Sequence, residues 1–290
     1  MNVEAPWRGN DLARQIVVLS ALSFMIIAAV IGAGAFGNTA VEDQQDGALS
    51  TNGSYLAPAG PAFSIWSVIY LGLIAYAIWQ ALPRQRTNPR QRALGWLIAL
   101  TMALNGLWLV AARFGTLFLT VVVIVLLLAA LGWTFRVAVL TREPRGGVVD
   151  SILIDGVTGL HLGWVTLATV ANTAAWLTTV APSSWEKAAD AIGIGVLVVV
   201  GLIGLAIAWK SSWRLTPALA LAWGLSWLAV ERFGGEPRST GIGVMAIIVA
   251  AFVLLPSAVI RILRLLRPSV DWRLSNLVPL MAGCSPANPP

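Results

Sequence analysis

Long apolar runs separated by short polar stretches repeat along almost the whole chain. Eight can be marked: Ile16–Phe36, Ala62–Leu82, Leu94–Ala112, Leu117–Leu140, Ile152–Leu177, Ala191–Trp209, Thr216–Val230 and Gly241–Leu263. The runs are continuous and do not alternate with the period of two of a half-buried strand, so they predict helices. At 1.5 Å per residue, about 20 residues cross a ~30 Å hydrocarbon core. A helix also satisfies its own backbone hydrogen bonds where no water can do so. Thr216–Val230 is the shortest of the eight. The pattern predicts an all-α, polytopic transmembrane helical bundle of about eight spans.

Composition narrows the class further. The chain is 58% hydrophobic and 11% charged, with a mean hydropathy of +0.79; a soluble domain carries about a quarter charged residues. Such a chain cannot clothe a water-facing surface, which excludes a soluble enzyme, a nucleic-acid binder and a disordered protein despite the net charge of +6. The basic residues lie between the apolar runs. With the N-terminus placed inside, fifteen of the nineteen Lys and Arg fall on that side. The positive-inside rule then predicts eight spans with both termini cytoplasmic. The single cysteine, Cys284, provides neither an internal disulfide nor a cysteine metal site. The first apolar run is longer than the roughly 7–15 residues of a signal-peptide core, and is read as a retained anchor. The longest connection, Gly37–Gly60, has three acidic residues and no Lys or Arg. It predicts an irregular, exposed and mobile segment, either a lid over a ligand entrance or a solvated linker. The Pro-rich tail after Arg273 predicts disorder.

Polar groups inside apolar runs are costly and mark candidate sites. Asn105 falls in the middle of the third run, and His161 and Asn172 fall within the fifth. His161 and Asn172 are close to three turns apart and share a helix face with Ala168 between them. Asp155 stands near the start of the same run. Buried Asn and His can equally be hydrogen-bonding glue between helices, and Gly159-Leu-His-Leu-Gly163 has the small-xxx-small spacing of close helix packing. A histidine with no Cys, Asp or Glu beside it is a poor metal site. No nucleophile elbow, phosphate loop, HExxH or mid-membrane carboxylate pair is present, so an enzyme is not the favoured class. Fourteen tryptophans are present. Trp7, Trp185, Trp213 and Trp272 lie near span ends, where indoles anchor at the lipid interface. Trp66, Trp108 and Trp164 do not fit that account, and Phe63, Trp66 and Tyr70 form an aromatic stripe on the second span. Such a stripe is core packing or, set opposite buried Asn and His, a wall for a flat, largely apolar ligand.

Three of these stretches resemble motifs of one family. Pro58-Ala-Gly-Pro-Ala-Phe63-Ser-Ile-Trp66-Ser-Val-Ile-Tyr70 is similar to the second-helix entry of the tryptophan-rich sensory protein family (TspO/MBR, the translocator-protein family). Leu104-Asn105-Gly-Leu-Trp108 resembles its third-helix Asn-x-x-Trp, and His161-Leu-Gly-Trp164 followed by Asn172 its fifth-helix pattern. The resemblance spans about Leu12–Leu177. It implies a five-helix bundle at 1–180 around a ligand cavity closed by the first loop, with three added spans at 181–268 and the tail at 269–290. It implies an integral membrane sensor or binding protein for a flat hydrophobic ligand, such as protoporphyrin or heme, with sterol-like molecules as another class. By position, Phe63, Trp66, Tyr70, Asn105, Trp108, His161 and Trp164 would line the cavity, with Asn172 nearer to packing. No cofactor is required; a tetrapyrrole would be the ligand. The partners implied are the lipid bilayer and a hydrophobic small molecule, in a bacterial cytoplasmic membrane. The added spans are read as covering the bundle, forming a homodimer contact or carrying a partner site. Two alternatives remain open: a transporter or permease component for a hydrophobic molecule, and light-dependent porphyrin degradation by a pocket indole.

Overall fold

The computed structural model describes residues 9–32, 45–142 and 147–266. Trp7, Glu42, Asp43, Trp272, Cys284 and the whole tail from 267 lie outside the described residues. Eight long helices follow one another: α1 (Gly9–Gly32), α2 (Ile65–Ala81), α3 (Pro89–Phe114), α4 (Leu117–Leu140), α5 (Val157–Val180), α6 (Ala189–Lys210), α7 (Leu215–Gly234) and α8 (Thr240–Leu266). Seven of the described helices are long and apolar enough to cross a membrane. The eighth, α7, has the length, at 20 residues, but not the hydropathy. It is rich in alanine and carries Glu231 and Arg232, which it can afford because it packs between α5 and α8. The all-α polytopic bundle is therefore the fold.

Several helices outrun their apolar segments. Helix α1 begins at Gly9, nearly two turns before the apolar run, because Asp11, Arg14 and Gln15 are buried against the α2–α3 corner. Arg14 donates to the carbonyls of Gln85 and Arg86 (3.2 and 3.0 Å), and Gln15 to that of Gln80 (2.7 Å). Helix α3 starts at Pro89, with the Asn88 side chain accepting from the backbone N–H groups of Arg90 and Gln91, a standard N-cap arrangement. Just before α5, residues Ser151–Gly156 wind as a π-type turn.

Packing runs α1–α3–α4–α5, with α2 set against α1 and α5, and then α5–α7–α8–α6. Two apolar clusters result, one among α1–α5 and one among α6–α8. They interlock: Ala220 of α7 belongs to the first, and Leu167 of α5 to the second. The joint is the small-xxx-small motif. A Cβ on Gly159 would strike the Thr216 side chain, and one on Gly163 the Pro217 carbonyl, so α5 and α7 touch backbone to backbone. Gly163→Val is expected to lower stability by about 3 kcal/mol, since an overpacked contact costs ~1–3 kcal/mol and here backbone must move. Gly195→Ala, where the added methyl meets open space, should be neutral or slightly stabilising. Thermal unfolding of both variants in detergent checks the pair.

The described part of the first loop, residues 45–60, is less exposed than a solvated linker would be: Ser54 and residues 56–59 are buried. The reason lies on α7. The backbone N–H of Ala59 donates to the Trp227 carbonyl (3.2 Å), the Trp223 indole N–H to the Ala62 carbonyl (3.0 Å), and the Arg232 guanidinium to the Thr51 carbonyl (3.1 Å). Leu56 packs into the α6–α8 cluster. At the other end of the segment, the Gln45 side chain donates to the carbonyls of Ala112 and Gly115 at the α3–α4 corner.

Candidate functional site

The segment 45–60 roofs a cavity of about 310 Å³ enclosed by α1–α5. That volume is at the small end of the ~300–1,000 Å³ range of ligand pockets. Ala48, Leu49, Pro58 and Gly60 come from the roof. Phe63, from the 3-10 turn Gly60–Ser64, and Trp66 and Tyr70 of α2 form one wall. Asn105, Trp108 and Leu109 of α3 face them, and α5 contributes Trp164, Ala168, Ala171, Asn172 and Ala175.

The rings meet edge to face. Trp164 lies 5.6 Å from Phe63 and 6.1 Å from Trp66, at interplanar angles of 79° and 83°. Trp66 and Tyr70 are tilted by 33° at 5.2 Å. Edge-to-face and tilted pairs at these separations match the ring quadrupoles and hold the wall in one shape. The two asparagines are spoken for. The Tyr70 hydroxyl donates to Asn105 Oδ1 (3.1 Å), and the Trp108 indole to Asn172 Oδ1 (2.9 Å). Asn172 Nδ2 donates in turn to Thr120 Oγ1 (3.0 Å). These bonds join α2 to α3, α3 to α5 and α5 to α4, so the asparagines are interhelical glue and cavity wall at once.

Seven of the eight residues singled out in the sequence thus converge on one cavity: Phe63, Trp66, Tyr70, Asn105, Trp108, Trp164 and Asn172. His161 does not join them. It stands behind the wall, its ring edge-on to Trp66 at 5.7 Å and 76°. Three residues before Trp164 on α5, it is buried and does not line the cavity. His161 Nε2 and Trp164 Nε1 are buried without a hydrogen-bond partner among the described residues. The small residues Ala168, Ala171 and Ala175 were not read as functional, although their spacing from Trp164 puts them on one helix face. They are what makes the wall concave. Leu49 had no local signal, because only burial of the loop brings it to the cavity.

At the opposite end of the bundle lies an ionic hub. Asp155 of the π-type turn receives Arg90 of α3 (2.6 Å), Arg142 after α4 and Arg214 before α7. Arg90 also pairs with Asp150 and donates to the Ala138 carbonyl (2.8 Å). The costly carboxylate near the start of the fifth span is therefore structural. Among the described residues no group of three or more His, Cys, Asp or Glu could hold a metal ion.

A family model described as TSPO-like protein matches residues 15–259. The match runs past the five helices of the resemblance, through α6 and α7 and into α8. No curated protein and no solved structure matches the chain.

Proposed function

The chain belongs to the TSPO-like family, and from that premise we propose that it is a membrane sensor that binds a flat, hydrophobic ligand of the tetrapyrrole class in the roofed cavity. The observation that carries this reading is the wall itself: Phe63, Trp66 and Trp164 lock one another edge to face over an almost wholly apolar space. Trp66 offers a ring face for stacking and Phe63 an edge, with the buried Trp164 packed against both. The Tyr70–Asn105 and Trp108–Asn172 pairs hold the opposite wall in place. A macrocycle larger than the present volume enters by displacement of Ala48 and Leu49 in the roof. Both termini face the cytoplasm in this reading, with the cavity toward the outer side, as the Lys and Arg distribution favours.

The test is a titration of detergent-purified protein with protoporphyrin IX, followed at the Soret band. Saturable binding is expected. Trp66→Ala should weaken it about tenfold, the ~1.4 kcal/mol that one aromatic contact is worth. Trp209→Ala, on a lipid-facing ring that is 72% exposed, should leave it unchanged. Non-saturable uptake, or equal affinity in both variants, would sink the proposal.

A further inference from the structure

A second cavity, of about 450 Å³, opens on the opposite half of the molecule between α4 and α6, with α5 as its floor. Its walls are apolar along most of their length: Leu128, Phe135 and Val139 from α4, Leu162 from α5, Ile203 and Ile207 from α6. The rim is notched at Gly132, where an added Cβ would meet nothing within 4 Å. The groove ends in two cations, Arg136 and Lys210, both exposed. Neither has a hydrogen bond or ion pair among the described residues, whereas Arg90, Arg92, Arg142 and Arg214 at the same end are each committed to an aspartate. Among the described residues no acidic side chain lines the groove. Arg136 stands one turn before the end of α4 and Lys210 is the last residue of α6, so both lie at the membrane surface when the helices span it. Trp133 and Trp209 beside them are 60% and 72% exposed, the position of indoles at headgroup depth.

We propose that this groove is a binding site for one anionic glycerophospholipid, with an acyl chain lying along Leu128–Val139 and its phosphate between Arg136 and Lys210. The occupant follows from the shape and the charge together. An open groove lined by aliphatic and aromatic side chains inside the bilayer is filled by hydrocarbon. Two uncommitted cations at its surface end select a headgroup with net negative charge, as basic pockets between transmembrane helices do. The guanidinium suits a phosphate in two-pronged fashion, and the ammonium supplies a point charge. The site needs α6, so a bundle of only the first five helices would not contain it, and it shares no residue with the roofed cavity.

Delipidated full-length protein, examined by native mass spectrometry with phosphatidylglycerol or phosphatidylcholine of identical chains, tests this. The wild type is expected to retain phosphatidylglycerol about tenfold more strongly. Arg136→Gln with Lys210→Gln should abolish the preference, and Gly132→Phe, which fills the notch, should weaken both lipids. Arg261→Gln, on an exposed cation at the same end of α8, should change neither. The proposal is overturned by a wild type without preference, or by a double variant that keeps it. It is also overturned if Gly132→Phe binds as the wild type does, since the cations would then attract lipid without a groove.

Discussion

Replacing Asp155 with alanine is expected to destabilise the protein by about 3–5 kcal/mol, the usual cost of removing one partner from a buried ion pair. Asp155 and Arg90 each expose only 7% of their side chains, so water cannot take over the lost contacts. The carboxylate is shared by three arginines from α3, the end of α4 and the turn before α7. Without it, their charges repel one another with only Asp150 left in the cluster. Asp155→Asn keeps the shape and part of the hydrogen bonding and should fall between wild type and alanine. Thermal unfolding in detergent, followed by tryptophan fluorescence, measures the series. A loss below about 1 kcal/mol would place the hub with solvated surface pairs and would remove it as the tie between the five-helix bundle and α7. A hub shielded from solvent should also resist 1 M salt, which screens exposed charges over about 3 Å.

The spans were legible because lipid imposes a one-dimensional rule: a helix that crosses must be apolar over its length, and the rule needs no partner to be known. Helix α4 matches its apolar run residue for residue, Leu117–Leu140. The rule fails where protein replaces lipid as the neighbour. The polar first turns of α1 are helical because Arg14 and Gln15 find carbonyls on the α2–α3 corner, and α7 reads weakly because it faces other helices more than lipid. The cavity was legible for a related reason. Asn105, Trp108, Trp164 and Asn172 are residue types that lipid-facing positions do not favour, so their spacing carried information. His161 satisfied the same criterion and yet packs behind the wall, because periodicity gives a face but not a depth. The roof was legible only as one of two readings of the first loop and through the family resemblance; what fastens it was not. Its partners Trp223, Trp227 and Arg232 lie more than 160 residues further on, and nothing in a Gly- and Ser-rich stretch announces a contact of that range.

That roof contact carries the second large effect. Arg232 is fully buried and donates to the carbonyls of Thr51, Glu236 and Pro237 at 3.1, 3.3 and 2.7 Å. Arg232→Met preserves much of the volume and removes the charge-assisted bonds, each worth about 1.5–3 kcal/mol. Only one of the three reaches the roof, and the other two brace the turn into α8. The expected result is therefore local. Amide exchange at Gly53 and Ala57 should accelerate by about a hundredfold, the ~3 kcal/mol of one strong bond at 1.4 kcal/mol per factor of ten. Ala59 should hardly change, because its N–H still reaches the Trp227 carbonyl and the Trp223 indole still holds Ala62. Hydrogen exchange resolved along residues 45–62 separates the two halves of the roof. If both halves and the helices accelerate together, Arg232 supports the whole fold and not the roof. If the split occurs, α7 is the element that keeps Ala48 and Leu49 over the cavity. Ligand should then enter and leave the variant faster than the wild type, with the aromatic wall unaltered. The three helices beyond the first five would in that case govern access to a site to which they contribute no wall residue.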